Sequence, residues 1–113
     1  VASPTGSTAY SLSAGGPIMN PTVQALLITP ICAHTFNMRP LVVSEDDVVH
    51  IRIAAIHQDI IVTFDGQESF RLLPGDEIMV MKSSVQAGIV KFEDKDYYQL
   101  LRTKLWKDVA NDD

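Results

Sequence analysis

The run SPTGSTAYSLSAGGP, residues 3–17, is the stretch from which the fold of this chain can be worked out. A proline and a glycine near its start require a bent entry, and Thr5 or Ser7 can cap the first amides of a helix over Thr8–Ala14. The Gly-Gly-Pro at the end of the run stops that helix. A helix that begins this way directs free N–H groups outward, which suits a phosphate or a hydroxyl-rich ligand. A capped turn without a ligand explains the same pattern.

The order of residues in this run gives more specific information about function than its helix-capping and turn properties do. It resembles the signature of the NAD kinases, a threonine-proline-threonine-glycine-serine-threonine-alanine-tyrosine segment that enters the dinucleotide pocket, with Ser3 in place of the usual first threonine. Further segments resemble the family in order and spacing: Ile28–Phe36, Arg39–Val43, Phe64–Gln67 and Asp96–Tyr98. The resemblance therefore covers nearly the whole chain.

Two motifs of that family do not occur in the sequence. One is a glycine-glycine-aspartate-glycine motif whose aspartate is the catalytic base, and the other is an asparagine-glutamate or asparagine-aspartate pair that holds the substrate. The Gly15-Gly16 pair is followed by Pro17, which cannot supply the acid. Both motifs lie upstream of the signature in the family. The resemblance thus implies that residues 1–113 are a C-terminal NAD-binding and oligomerisation domain without the N-terminal α/β domain, and we expect no catalytic residue here. A start at Val1 rather than methionine fits a fragment.

Composition indicates a single globular domain that acts in a reducing compartment. Of the 113 residues, 46% are hydrophobic and 20% charged, which excludes a disordered tail. No apolar run approaches the roughly 20 residues that span a bilayer, so we expect no membrane partner. Cys32 is the only cysteine and cannot form a disulfide within the chain, which fits the cytoplasm.

The charge distribution excludes two classes of nucleotide-related function. With 9 basic and 14 acidic residues the net charge is −5, which argues against general nucleic-acid binding. No lysine precedes Lys82, so the signature cannot be a P-loop with its phosphate-binding lysine. An anionic nucleotide must therefore be held by local groups rather than by a broad positive field.

Short apolar runs separated by Gly, Pro and Asp turns predict a mainly β protein of antiparallel strands. We expect an antiparallel two-sheet, sandwich-like domain with a short N-terminal helix and a short C-terminal helix, and the family resemblance implies the same architecture. The predicted strands are Ala25–Ile28, Leu41–Val43, Val49–Ala55, Ile60–Phe64, Phe70–Leu73, Ile78–Met81 and Gly88–Phe92, and the C-terminal helix spans Tyr97–Lys107.

The resemblance implies that one continuous stretch of the signature lines the dinucleotide. Tyr10 offers a flat face for stacking, and the hydroxyls of Thr8 and Ser13 can bond an adenine edge or a ribose. Leu12, taken on its side chain alone, is better explained as core. The substrate-binding residues implied by the family are Thr8, Ala9, Tyr10, Ser11, Leu12, Ser13 and Gln67, with Thr5, Asp65 and Cys32 as further candidates.

Several polar groups have simpler explanations than a site. Asp65-Gly66-Gln67 reads as a hairpin turn, although family members with this motif use the glutamine to contact substrate. Cys32 is best explained as a buried small residue, although in the family its segment can approach the pocket of a neighbouring subunit. The three histidines lack metal-ligand spacing, and Glu45–Asp47 is explained as a solvated acidic turn.

Two functions from different classes follow. In the first, the parent protein is an NAD kinase that transfers a phosphate from ATP, with Mg²⁺, or from polyphosphate to the adenosine ribose 2′-hydroxyl of NAD, and this segment binds the dinucleotide and makes homodimer or homotetramer contacts. In the second, the chain is a non-catalytic dinucleotide-binding or oligomerisation module. A relative of the diacylglycerol and sphingosine lipid kinases is a weaker third option, because it does not explain the signature.

Overall fold

A computed structural model describes residues 1–31, 38–54, 59–91 and 96–105 of the chain. The chain divides into two compact units, Val1–Lys82 and Ser83–Asp113. All the strands found among the described residues belong to the first unit.

The signature begins with two short helical turns rather than one helix. A 3₁₀ turn spans Thr5–Thr8 and helix α1 spans Tyr10–Ser13, and between them Ala9 leaves the helical region with φ −100° and ψ −126°. The predicted helix over Thr8–Ala14 is therefore wrong at its start, because the backbone bends at Ala9. The residues that precede the two turns, Pro4 and Ala9, make no side-chain cap, so the capping role predicted for Thr5 or Ser7 is wrong.

The described residues contain six short strands, which pair antiparallel in three two-stranded ladders. Their bounds are Ala25–Ile28 for β1, Leu41–Ser44 for β2, Val49–Arg52 for β3, Ile60–Phe64 for β4, Glu68–Leu72 for β5 and Glu77–Val80 for β6. β1 pairs with β2, β4 with β5 in a hairpin, and β3 with β6 across that hairpin.

The mainly β antiparallel class with two short helices is confirmed, and β1 and β4 have the predicted bounds. The grouping differs: the described strands form three ladders where two sheets were predicted. Alternation of apolar residues indicates which residues form a strand but not which strand is its neighbour, and the β3–β6 pair encloses 24 residues of intervening chain (53–76).

Two predicted strands are shorter or absent in the described residues. β3 ends at Arg52, and Ile53 then bonds to the following turn, accepting from the Gly75 N–H at 2.7 Å and donating to the Asp76 carbonyl at 2.9 Å. Residues 88–91 form no strand, which corrects the prediction for Gly88–Phe92 over its described part. Strand propensity alone does not make a strand when no neighbour pairs with it.

The core of the first unit lies under the signature. Leu27 of β1 is fully buried and clusters with Met19 and Ala25. Ala2 exchanges two backbone hydrogen bonds of 2.8 Å with Leu27, opposite the side on which β1 pairs with β2. The segment leading into the signature is thus fastened to the most buried strand.

In the second unit, helix α2 spans Tyr97–Leu105 and buries Leu101. Its start agrees with the predicted helix Tyr97–Lys107, whose last two residues lie outside the described ones. Tyr97 and Tyr98 form an edge-to-face ring pair with centroids 5.6 Å apart. None of the helices in the described residues is long and apolar enough to cross a membrane.

Candidate functional site

A cleft of about 560 Å³ lies within the first unit, between three elements. One wall is the signature and α1, the second is the segment that follows β1, and the third is the turn of the β4–β5 hairpin. The lining residues are Val1, Ala2, Ser3, Gly6, Ala9, Tyr10, Ser11, Ala14, Thr29, Ile31, Thr63, Asp65 and Gly66. The fold therefore brings segments more than 50 positions apart in the sequence to one cavity.

The buried hydroxyl of Ser7 anchors the signature to the core. Ser7 has no exposed surface, donates to the Pro4 carbonyl at 2.7 Å and accepts from the Met19 N–H at 3.0 Å. Next to it, Ser3 accepts from the Gly6 N–H at 3.2 Å. A buried hydroxyl needs hydrogen-bond partners within the protein. The bonds of Ser7 therefore fix the backbone of the 3₁₀ turn relative to Met19.

The phenol of Tyr10 meets the hairpin turn. Tyr10 is 71% exposed, and a Cβ placed on Gly66 would come within 2.5 Å of its hydroxyl oxygen. Asp65 and Gly66 have φ of 51° and 68°, as in a type I′ turn, and the Gln67 N–H donates to the Phe64 carbonyl at 3.0 Å. The hairpin predicted at Asp65-Gly66 is confirmed, and glycine is needed at position 66 both for the backbone angle and for the close approach of the ring.

On the opposite side of the cleft, two hydroxyls connect α1 to the end of β1. The Oγ of Ser11 and the Oγ1 of Thr29 lie 2.9 Å apart and are partly buried. Gly16 packs against both of them and donates its N–H to the Ser11 carbonyl at 2.8 Å.

The lining is rich in hydroxyls and poor in charge. Hydroxyls come from Ser3, Ser11, Thr29 and Thr63, together with the phenol of Tyr10, whereas Asp65 is the one acidic side chain and no lysine or arginine is present among the described lining residues. Such a surface suits the sugar and base of a nucleotide, which are held by hydrogen bonds and stacking, better than it suits the phosphates.

Comparison with known proteins identifies the family. The sequence profile of the ATP-NAD kinase C-terminal domain matches residues 1–92. The chain belongs to this family. The resemblance of the signature to the NAD kinases is thereby confirmed over most of the chain.

Named NAD kinases match the chain closely. It is 50% identical over 105 residues to the NAD kinase of Caldanaerobacter subterraneus subsp. tengcongensis, covering 93% of this chain and 37% of that protein. It is also 50% identical over 105 residues to the NAD kinase of Carboxydothermus hydrogenoformans, covering 93% of this chain and 38% of that one. The chain therefore spans a little over a third of the length of these relatives.

A solved structure shares the fold. The crystal structure of yeast NADH kinase complexed with NADH superposes with a TM-score of 0.64 at 45% identity, covering 69% of this chain and 22% of that chain.

The structure places the residues implied by the NAD kinase signature in two groups. Ala9, Tyr10, Ser11 and Asp65 line the cleft. The others lie outside its lining: Thr5, Thr8, Ser13 and Gln67 are exposed, and Leu12 is half-buried. Cys32 lies outside the described residues. The role of each as a substrate contact stays a prediction.

Several lining residues are not among the candidates predicted from the sequence. They include Thr29, Thr63 and Gly66, the last of which was predicted only as a turn residue. The available signal was indirect. A hydroxyl residue just before a proline that ends a buried strand points toward the strand's end, where ligand sites often lie.

The acidic run Glu45–Asp47 and His50 form no metal centre in the described part of the chain, and His34 and His57 lie outside the described residues. No group of three or more His, Cys, Asp or Glu side chains comes together there. Glu45–Asp47 form the turn between β2 and β3, where the Ser44 N–H donates to Asp47 Oδ2 at 3.1 Å. Lys82 Nζ lies 2.7 Å from Glu45 Oε1, and this hydrogen bond raises the pKa of Lys82 above its ordinary value.

Proposed function

We propose that this chain is the dinucleotide-binding part of an NAD kinase, which transfers a phosphate from ATP or polyphosphate to the adenosine ribose 2′-hydroxyl of NAD and gives NADP. The observation that carries the proposal is the cleft that joins the family signature to the Asp65-Gly66 turn. Membership of the family and likeness to an NADH kinase solved with NADH support the choice of ligand.

In this proposal the chain binds and orients the acceptor. The exposed ring of Tyr10 provides a face on which a base or nicotinamide ring stacks, and the hydroxyl of Ser11 bonds the ribose or the base edge. Further contacts at the rim of the cleft come from Thr8, Ser13 and Gln67. Each of these residues directly adjoins a residue that lines the cleft. Holding the 2′-hydroxyl in one place is itself a large part of catalysing phosphoryl transfer.

The chemical groups of the transfer come from elsewhere in the protein. Such a reaction needs a base for the attacking hydroxyl and a metal ion, usually Mg²⁺, that neutralises the phosphate charge of ATP. The described residues hold no cluster of metal ligands, so the proposal assigns no Mg²⁺ ligand to that part of the chain. Asp65 is not the base in our proposal, because it lies downstream of the signature in a hairpin turn.

Titration of NAD and NADH into the chain by calorimetry tests the binding proposal. We expect saturable binding that Tyr10→Ala weakens by about tenfold through loss of ring stacking. Tyr10→Phe is the matched control, because it keeps the ring and removes only the hydroxyl, and Gln67→Ala should weaken binding to a smaller degree. Absence of binding in a sample shown to be folded by its circular dichroism spectrum would contradict the proposal.

A chimera tests the catalytic proposal and separates it from the non-catalytic alternative. The chain replaces the corresponding C-terminal part of the Caldanaerobacter NAD kinase, with which it shares 50% identity. NADP formation from ATP or from polyphosphate, reduced in the Tyr10→Ala chimera, is the expected result. A chimera that binds NAD yet forms no NADP, while the unmodified enzyme does, would favour a non-catalytic dinucleotide-binding or oligomerisation module.

The proposal also includes a homodimer or homotetramer in the cytoplasm, with no nucleic-acid or membrane partner. One face of the β4–β5 hairpin exposes Phe64 and Phe70, whose rings pack edge to face with centroids 5.8 Å apart. Exposed paired aromatics of this kind are typical of surfaces that another subunit or domain covers. Light scattering coupled to size exclusion measures the mass directly, and a monomer at all concentrations would contradict the oligomer.

A further inference from the structure

The hydroxyl pair between Ser11 and Thr29 joins two parts of the cleft that are 18 positions apart in sequence. Ser11 belongs to α1, and Thr29 is the first residue after β1. Their oxygens are 2.9 Å apart, an ordinary hydroxyl–hydroxyl hydrogen bond. Both residues line the cleft, so the bond lies in its wall.

Gly16 shows how tightly this junction is built. A Cβ at that position would overlap Ser11 Oγ, would lie 2.7 Å from Thr29 Oγ1 and 2.8 Å from the Ser11 carbonyl oxygen. The neighbouring Gly15 differs: its φ is +88° and no atom lies within 4 Å of its would-be Cβ. Position 15 needs glycine for its backbone angle, whereas position 16 needs it to leave room for the hydroxyl pair.

Helix α1 depends on such connections for its position. It is four residues long, and a single helical turn has too few internal hydrogen bonds to be stable by itself. None of its residues is buried, so apolar packing fixes it only weakly. The hydrogen bond between Ser11 and Thr29 therefore helps to fix the position of α1.

Tyr10 directly precedes Ser11, and its ring is mostly exposed apart from its approach to Gly66. We propose that Thr29 is a positioning residue of the dinucleotide site: through Ser11 it holds α1 so that the Tyr10 ring lies over Gly66 in the geometry that binds the ligand. This inference rests on the proposed function for its ligand, but its structural half can be tested without one.

The test compares Thr29→Val, which keeps the shape and removes the hydroxyl, with Thr29→Ser, which keeps the hydroxyl. Two measurements are made on each 113-residue variant: the NADH dissociation constant and the nuclear Overhauser contact between the Tyr10 ring and the Gly66 Hα protons. We expect Thr29→Val to raise the dissociation constant about fivefold and weaken the contact, as for loss of one hydrogen bond, and Thr29→Ser to restore both.

Thr63→Val is the matched control for the ring contact. It removes a hydroxyl from the same cleft, one that lies 3.1 Å from Ser69 Oγ within the hairpin, without touching the connection to α1. The Tyr10–Gly66 contact should persist in this variant. If Thr29→Val does not fold, Ser11→Ala breaks the same bond from the other side and gives the same two readouts.

The outcomes separate this inference from the proposed function. If the unmodified chain binds NADH and Thr29→Val changes neither readout, the positioning role is overturned. A lower melting temperature with both readouts unchanged also overturns it, since that describes a purely structural residue. If the unmodified chain does not bind NADH, the proposed function fails, and the ring contact alone decides: its loss in Thr29→Val with recovery in Thr29→Ser supports the positioning role, and its persistence overturns it.

Discussion

The two walls that meet at Tyr10 are built in different ways. The signature wall is fixed from below by Ser7, whose buried hydroxyl bonds to the Pro4 carbonyl and the Met19 N–H. The hairpin wall is fixed by its own backbone, through a turn with two positive φ angles and a hydrogen bond from the Gln67 N–H to the Phe64 carbonyl. The first wall thus depends on the core, and the second depends on local turn chemistry. Substitutions in the first should lower global stability, and substitutions in the second should act mainly on the site.

The largest effect is expected at Ser7. Ser7→Ala removes two hydrogen bonds at a position with no exposed surface, so we expect unfolding free energy to fall by about 2 kcal/mol. Thr8→Ala is the control, because Thr8 is exposed and its hydroxyl makes only a 3.4 Å bond to the Thr5 carbonyl. Urea denaturation of both variants gives the comparison. Equal losses in the two would mean that the signature wall does not depend on the buried hydroxyl.

A smaller loss of stability, together with weaker NADH binding, is expected for substitution of Gly66. Gly66→Ala and Gly75→Ala both place a side chain at a turn residue with positive φ, 68° and 91°, and each should cost about 1 kcal/mol of stability. Only Gly66 has a neighbour at its would-be Cβ, the Tyr10 ring, whereas nothing lies within 4 Å at Gly75. We therefore expect weaker NADH binding in Gly66→Ala alone, measured by calorimetry. Matching loss of affinity in Gly75→Ala would show that strain in any turn, rather than displacement of Tyr10, is responsible.

The same contrast explains what could be predicted from the sequence. The hairpin was predictable because its determinants are local: an apolar run, then Asp-Gly, then another strand, with the bounds of β4 given correctly at Ile60 and Phe64. The signature was recognisable as a family motif but not as a structure. Nothing in its composition shows that the backbone bends at Ala9 or that Ser7 is the buried hydroxyl.

The cleft itself was only partly predictable. The resemblance to the NAD kinases predicted that the continuous stretch from Thr8 to Ser13 contacts the dinucleotide. Because α1 is so short, only part of that stretch lines the cleft, namely Ala9, Tyr10 and Ser11. Thr29 and Gly16 take their importance from a contact between segments far apart in sequence. A single sequence carries no signal for such a contact, because neither residue type nor spacing distinguishes it from an ordinary strand end.

The smallest expected effect is electrostatic and lies away from both walls. The Lys82–Glu45 ion pair joins the second residue after β6 to the turn after β2, and its hydrogen bond raises the pKa of Lys82 in the folded chain. A raised pKa means that the folded state binds the proton more tightly. The pair therefore contributes its full stabilisation below the unfolded pKa of about 10.4 and loses it as pH rises through the higher folded value. Denaturation midpoints from pH 9 to 11.5 should show a slight extra decline that Glu45→Gln abolishes and added salt reduces, because exposed pairs are weak and screened. An identical decline in Glu45→Gln would mean that the decline does not come from this pair.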